Sequence, residues 1–496
     1  MNFRLILYII GQILRAEGVL MIIPLIAALA YRESVWPLLI PILALLALGS
    51  LLCWRRPAKG DRMGARDGLF VVGVSWVVLS LFGMLPFLLC GAITSPVDAF
   101  FETVSGFTTT GATVLGATIG TLPSDLPQGV ALWRALTHWI GGMGVLVLVL
   151  AVMPQQQFKS ARLMHAMRAE VPGPVATKVV ATIRHSAGIV YAIYIALTLI
   201  EMIALLLCGM SFYDALLHAF STAGTGGFSN MDTSIAAFDS SAVHIVLTVF
   251  MLLFSINFNL YYLILIGQGA RIFLSEELRY FVIAVAAATG IITLNIAFTP
   301  MYETLGVGIA LRDAAFNVAA FTSTTGFTTA AYDSWPYLSQ LILFLLMFLG
   351  GCTGSTCGGL KIGRLIILIK SSIRELRYTL RPREVRPVRA EGKAVEEDTV
   401  RGTSAYFALF FLMFAISTVA LMLLDNVDLL TSFSAISTCI NNVGPAFGDM
   451  IGFAAGGSFG GFSVGAKLLL SFVMLLGRLE LFPVLILFMP AAWAKK

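Results

Sequence analysis

DAFFETVSGFTTTGAT, residues 98–113, places an Asp at the head of one short apolar helix and follows that helix with a polar stretch ending in Gly. The same plan returns as DALLHAFSTAGTGGFS at 214–229 and DAAFNVAAFTSTTGFTT at 313–329, and more loosely as DLLTSFSAISTCINNVGPAFG at 428–448. From each Asp to its Gly the chain runs 13 positions to Gly111, 12 to Gly226, 13 to Gly326 and 16 to Gly444. A single such stretch reads equally as a tight turn or a close helix contact, because small residues are common where membrane helices touch. Four of them at corresponding places make a repeated structural unit.

The medium around these units follows from composition. Of 496 residues, 58% are hydrophobic and 12% charged, with a mean hydropathy of +0.90, which excludes an ordinary water-soluble globule. Apolar runs near the roughly 20 residues a helix needs to cross the bilayer core recur along the chain, without the alternation of a membrane barrel. They predict ten spans, near 3–30, 34–54, 67–91, 129–153, 184–209, 241–268, 277–298, 336–373, 403–424 and 464–490. The first, with Glu17 inside it and a second apolar run directly after it, reads as a retained segment rather than a signal peptide. Basic connections at 55–66, 154–183 and 370–402, with Lys495 and Lys496, place those segments and both termini on the cytoplasmic side. The alternate connections, which carry the four repeated units, then face outward. The fold expected is all-α and polytopic: two extra N-terminal helices in 1–66, then four repeats of outer helix, re-entrant loop and inner helix over 67–183, 184–276, 277–402 and 403–496.

Within each unit the leading Asp, at 98, 214, 313 and 428, suits a helix N-cap, satisfying amides that would otherwise be orphaned. The helix then turns its C-terminal end, the negative pole of its dipole, into the membrane. The residues beyond it suit an extended strand whose carbonyls face an axis, with Gly supplying backbone angles that other residues resist. Rings of such carbonyls can replace the hydration shell of a monovalent cation, and irregular backbone at that depth is tolerable where it lines a pore.

At these residues the chain resembles the TrkH/KtrB superfamily of potassium transporters, and its TrkH-like branch in particular. The strings that carry the resemblance are FETVSGFTTTGAT (101–113), HWIGGMGVLVLVLAVMP (138–154), FSTAGTGGFS (220–229), INFNLYY (256–262), GGCTGSTCGGLKIGR (350–364), NNVGPAFG (441–448) and LLGRLELFPV (475–484). The resemblance implies K⁺ uptake across a bacterial inner membrane, with Rb⁺ accepted as well. It implies a pseudo-fourfold selectivity filter of Thr109, Thr110 and Gly111; Gly224, Thr225 and Gly226; Thr324, Thr325 and Gly326; and Asn442, Val443 and Gly444. It also implies a homodimer, contact with membrane lipid, and a cytosolic nucleotide-binding subunit of the TrkA type. No cofactor is expected on this chain, and K⁺ at the filter residues is its cargo. The repeats keep one equivalent Gly each instead of a full TVGYG signature, which points to a less strict exclusion of Na⁺.

The third inner run is interrupted. Tyr337–Leu349 offers 13 residues, roughly 20 Å of helix, too little to cross alone before the Gly-rich stretch that follows. Gly350, Gly351, Gly354, Gly358 and Gly359, with Thr353, Ser355 and Thr356, could form a polar loop beneath the filter, which the resemblance makes an intramembrane gate; a plain kink at a packing contact is the other reading. Arg478 lies among apolar neighbours, where an unmatched charge is costly. It either faces the ion path and repels cations, as the resemblance implies, or pairs with Glu480 or Glu201. Glu102 either braces the filter or faces the outer vestibule. His138 and His218 suit packed hydrogen-bonding more than proton relay, and Asn257 and Asn259 suit bonds between helices. The 370–402 stretch, with nine basic and six acidic residues, reads as a solvated linker, a docking surface or a contact with anionic lipid heads.

The six cysteines lack paired metal-ligand spacing. An HExxH, a GxxxxGK[ST] and a GxGxxG are all absent from the chain, so it is not expected to be an enzyme, and nucleotide control would have to come from a partner. An alternating-access cation symporter coupled to H⁺ or Na⁺ is the competing function, since broken helices with small residues mark those proteins too. Four similar loops, rather than two inverted halves, favour a pore.

Overall fold

The computed structural model describes residues 3–54, 65–144, 183–382, 386–453 and 456–489. Most of the predicted basic connections at 55–66 and 154–183, the second half of the 129–153 run and the Lys495–Lys496 end lie outside the described residues.

The protein is helical, as its long apolar runs require, and beyond isolated bridges the described residues contain one two-stranded ribbon. In chain order the helices are α1 (Phe3–Leu20), α2 (Ile22–Ala30), α3 (Trp36–Cys53), α4 (Ala65–Gly83), α5 (Leu85–Leu89), α6 (Pro96–Phe107), α7 (Gln128–Gly142), α8 (Ile183–Leu207), α9 (Phe212–Ala223), α10 (Ser241–Phe254), α11 (Phe258–Leu265), α12 (Glu276–Ala297), α13 (Pro300–Leu305), α14 (Val307–Thr322), α15 (Tyr337–Leu349) and α16 (Ile362–Leu380). The ribbon β1 (Arg389–Ala390) and β2 (Lys393–Ala394) follows, then α17 (Glu397–Asp425), α18 (Leu429–Asn441), α19 (Val464–Arg478) and α20 (Phe482–Leu487).

Among the described residues six segments are long and apolar enough to cross a membrane: 3–30, 36–53, 67–89, 188–207, 276–297 and 397–425. The predicted run at 241–268 is not a straight helix: α10 and α11 meet at 91°. Asn257 explains the corner, because its Oδ1 accepts from the Asn259 amide at 2.9 Å and so caps α11; it is a cap and not the helix-to-helix bond expected. The run at 464–490 also breaks, at Glu480 and Leu481, both with positive φ (60° and 56°). Pro483 in the first turn of α20 suits that restart.

The four short helices of the repeated units are α6, α9, α14 and α18. Their caps correct the sequence expectation in three of four cases. Ser95 caps α6 and Ser211 caps α9, each accepting from the amide of the Asp three positions on, so Asp98 and Asp214 sit inside the first turn, where a carboxylate still favours the positive end of the dipole. Asp313 lies within α14, which starts earlier, at Val307, and it accepts from Tyr302 and Arg312 instead. Asp428 alone caps its helix as expected, accepting from the Thr431 amide at 3.0 Å.

Packing joins these short helices in a closed order. α6 packs on α7 and α19, α9 on α10 and α7, α14 on α15 and α10, and α18 on α19 and α15. Each short helix thus touches the helix that follows it and the corresponding helix of the preceding unit, with the fourth unit meeting the first. α1 to α3 stand outside this circle, α1 packed along α3 and α2 against α7.

Candidate functional site

The short helices end in one backbone signature. The amides of Thr110, Gly226, Thr325 and Val443 each donate five residues back, to Ser105, Ser221, Ala320 and Thr438, at 2.9–3.0 Å. The residue before each, Thr109, Thr225, Thr324 or Asn442, is left-handed with φ of 54–55°. The residue after each is a glycine with positive φ: Gly111 (78°), Gly227 (76°), Gly326 (81°) and Gly444 (99°). Such angles strain any residue with a Cβ.

This register moves one predicted position. Gly226 was expected beside Gly111, Gly326 and Gly444, and the matching glycine is Gly227, which stands 13 residues from Asp214 as Gly111 and Gly326 do from Asp98 and Asp313. Gly226 occupies the preceding place, the equivalent of Thr110, Thr325 and Val443, and Gly224 that of Thr108 and Ser323.

The four glycines meet one another in order. A Cβ on Gly111 would overlap the Gly226 carbonyl oxygen, one on Gly227 that of Thr325, and one on Gly326 that of Val443, while one on Gly444 would stand 2.7 Å from that of Thr110. The circle closes from fourth unit to first. Thr109, Thr110, Thr225, Thr324, Thr325, Asn442 and Val443 are buried while Gly111, Gly227 and Gly326 are half-buried, and Asn442 Nδ2 donates across the circle to Thr110 Oγ1 at 2.9 Å.

The Gly-rich loop lies against this ring. Gly358 N donates to Thr324 Oγ1 at 2.7 Å and Gly359 N to the Asn441 carbonyl at 3.0 Å. Cys352 N donates to the Ser255 carbonyl at 2.9 Å and the Gly354 carbonyl accepts from Phe258 N at 3.1 Å, so the corner between α10 and α11 exposes the backbone groups that hold the loop. Gly350, Gly354 and Gly359 have positive φ (65°, 76° and 73°), and Gly351, Thr353, Ser355 and Thr356 run between them. A helix kink at a packing contact does not describe this segment, since residues 350–361 leave helical geometry altogether.

Arg478, at the end of α19, spans the loop and the first unit: Nη1 donates to the Thr356 carbonyl at 2.9 Å, and Nη2 to the Gly141 and Gly142 carbonyls at 2.6 and 2.8 Å. Glu480 is engaged elsewhere, by Arg364, whose guanidinium lies over the Tyr406 ring. Sequence reading missed Glu277 of α12, whose Oε1 accepts from Thr353 N at 2.6 Å and Gly363 N at 2.9 Å, clasping both ends of the loop. Glu391, in the turn of the β1–β2 ribbon, accepts from Ser275 Oγ and the Glu276 and Glu277 amides at 3.0–3.2 Å, tying the 370–402 stretch to the start of that helix. Only an inward-facing acid one residue into a charged helix start could have hinted at Glu277.

His138 stacks on Phe228 with centroids 4.0 Å apart, and its ring fills the space a Cβ on Gly226 would need. Sequence reading counted a GxSxG as absent, yet Gly456 to Gly460 spell one; among the described residues no strand leads into Ser458 and no helix directly follows it, and its hydroxyl donates to the Val114 carbonyl at 3.0 Å, so it clasps two loops. Among the described residues no cluster of His, Cys, Asp and Glu could hold a resident metal ion.

Residues 38–495 match the family model described as TrkH, cation transport protein. The chain is 34% identical over 499 residues to the Trk system potassium uptake protein TrkH of Halomonas elongata, covering 100% of both chains, and 33% identical to the protein of that name from Escherichia coli K12, covering 99% of this chain and 100% of that one. Its structure superposes on the crystal structure of the potassium transporter TrkH from Vibrio parahaemolyticus with a TM-score of 0.88 and 32% identity over the whole of both chains.

Proposed function

The chain belongs to the TrkH family of cation transport proteins, and on that footing we propose that it carries K⁺ across the bacterial inner membrane through the ring of four loops. The observation that carries this reading is the closed circle in which each ring glycine faces the carbonyl of the next unit. Four carbonyls brought together in one ring, with the C-terminal ends of four short helices behind them, can take the place of water around a dehydrated cation. The filter in this reading is Thr109–Gly111, Thr225–Gly227, Thr324–Gly326 and Asn442–Gly444. The ten spans, the pseudo-fourfold repeat and the cytoplasmic termini go with it.

The loop from Gly350 to Gly359 is the gate, because it is bonded to Thr324 and Asn441 at the ring and would have to leave those partners for an ion to pass. Arg478 adds a positive charge at the same level. A cytosolic nucleotide-binding subunit and a second copy of the chain complete the assembly, the first acting through the ribbon and α12. Glu277→Gln is expected to weaken the clasp on Thr353 and Gly363 and to raise basal uptake about threefold, read as ⁸⁶Rb⁺ entry into proteoliposomes; uptake equal to wild type would remove Glu277 from the gate.

The test of the function itself is ⁸⁶Rb⁺ against ²²Na⁺ entry into proteoliposomes holding the purified chain, with and without its cytosolic subunit. Rb⁺ flux exceeding Na⁺ flux is expected. Rb⁺ flux abolished by removing external Na⁺ or a proton gradient would favour the alternating-access symporter instead.

A further inference from the structure

Nine positions before the ring glycine, three units carry a polar side chain in place of an apolar one: Glu102 before Gly111, His218 before Gly227 and Asn317 before Gly326. The fourth shifts it by one, to Ser434 before Gly444. All four are fully buried, on the short helix behind the ring. Each bonds to its own strand two or three residues past the glycine. Glu102 accepts from Thr113 Oγ1 at 2.9 and 3.0 Å and from Val114 N at 2.9 Å. His218 Nε2 meets Ser229 Oγ at 3.0 Å while Nδ1 is held by the Asp214 carbonyl at 2.8 Å. Asn317 Nδ2 reaches Thr329 Oγ1 at 3.5 Å, and Ser434 Oγ accepts from Phe447 N at 2.6 Å.

Four different chemistries therefore do one geometric task, holding the chain just beyond each ring glycine against its helix. The first is unlike the others, because its carboxylate is matched by the buried Arg134 of α7, with Nε to Oε1 at 2.6 Å. Arg134 Nη1 also donates to the Ser229 carbonyl at 2.9 Å, and its guanidinium lies 3.5 Å from the centroid of Phe228, the residue after Gly227. The ion pair consequently fastens the strand of the first unit to that of the second.

We infer that Glu102, His218, Asn317 and Ser434 are positioning residues that fix the ring carbonyls, and that the Glu102–Arg134 pair sets ion choice by locking two neighbouring strands together. The inference rests on the ring being the filter. A carbonyl ring discriminates between cations by how well its spacing and stiffness replace their hydration. A charged, doubly bonded brace yields less than a neutral one, because hydrogen bonds to ions are stronger and leaving a buried charge unmatched is costly.

The experiment is the Rb⁺/Na⁺ uptake ratio of Glu102→Gln, Thr113→Val, Asn317→Leu and Ser434→Ala in proteoliposomes, alongside their melting temperatures in detergent. Glu102→Gln is expected to lower the ratio about tenfold, Thr113→Val and the other two by smaller factors. A merely structural role would lower melting temperature and total flux while leaving the ratio alone. Should Glu102→Gln fail to accumulate, Thr113→Val decides, since it removes the hydroxyl by which the first strand holds the carboxylate and so loosens the ion pair from that strand. A wild-type ratio in Glu102→Gln, or in Thr113→Val where that variant decides, overturns the inference. Gly326→Ser run in parallel separates the premises: if it too leaves the ratio unchanged, the ring is not the filter; if it alone changes the ratio, the filter stands and the braces do not set ion choice.

Discussion

Gly326→Ser is expected to reduce the preference for Rb⁺ over Na⁺ at least about tenfold, the scale on which a misfitted site loses discrimination. Gly326 has φ of 81°, where a side chain costs roughly 1–2 kcal/mol in backbone strain. The larger effect is steric. A Cβ there would overlap the Val443 carbonyl oxygen and stand 2.5 Å from Pro445 Cδ, so the fourth strand must move, and with it one carbonyl of the ring. Uptake of ⁸⁶Rb⁺ and ²²Na⁺ by the same vesicles reads the change. Gly227→Ala should act in the same way, by displacing the Thr325 carbonyl, whereas Gly226→Ala should act through the His138 ring. A ratio unaltered by both Gly326→Ser and Gly227→Ala would take the filter away from this ring.

Arg478→Ala is expected to raise basal Rb⁺ uptake about tenfold without lowering the Rb⁺/Na⁺ ratio. Its guanidinium donates to three carbonyls, one on the loop and two at the end of α7, and hydrogen bonds from a charged group contribute roughly 1.5–3 kcal/mol each. Losing even one such contribution from the closed form alone shifts a two-state equilibrium by about tenfold. Removing the charge also removes its repulsion of an approaching cation. The measurement is single-turnover uptake by the chain without its cytosolic subunit. Basal uptake at or below the wild-type rate, with the ratio intact, would make Arg478 a packing residue and leave the loop without its charged latch.

How much of this was legible in the sequence varies with the range of the interaction concerned. The helical class and the four units were legible because apolar run length and the Asp-to-Gly spacing are local properties of the chain. The break after Tyr337–Leu349 was legible for the same reason, since 13 residues fall short of a crossing. The caps of α6 and α9 were misassigned to Asp98 and Asp214 although Ser95 and Ser211 stand three residues earlier in plain view; a serine and an aspartate are equally good caps, and only backbone angles choose. The Gly226 assignment failed likewise, because Gly224, Gly226 and Gly227 crowd one segment and any of them could take a positive φ.

Sequence by itself determined the membrane class and the place of the four loops, because hydropathy and glycine placement act within a few residues of themselves. Tertiary structure alone decided which carbonyl each glycine faces, that Arg134 answers Glu102 across 32 residues, that Glu277 clasps a loop 76 and 86 residues away, and that Arg478 bonds backbone carbonyls on two distant segments. Those partners are set by the circular packing of the short helices, and in a medium that offers no water to a buried polar group each must find its match wherever the packing brings one within reach.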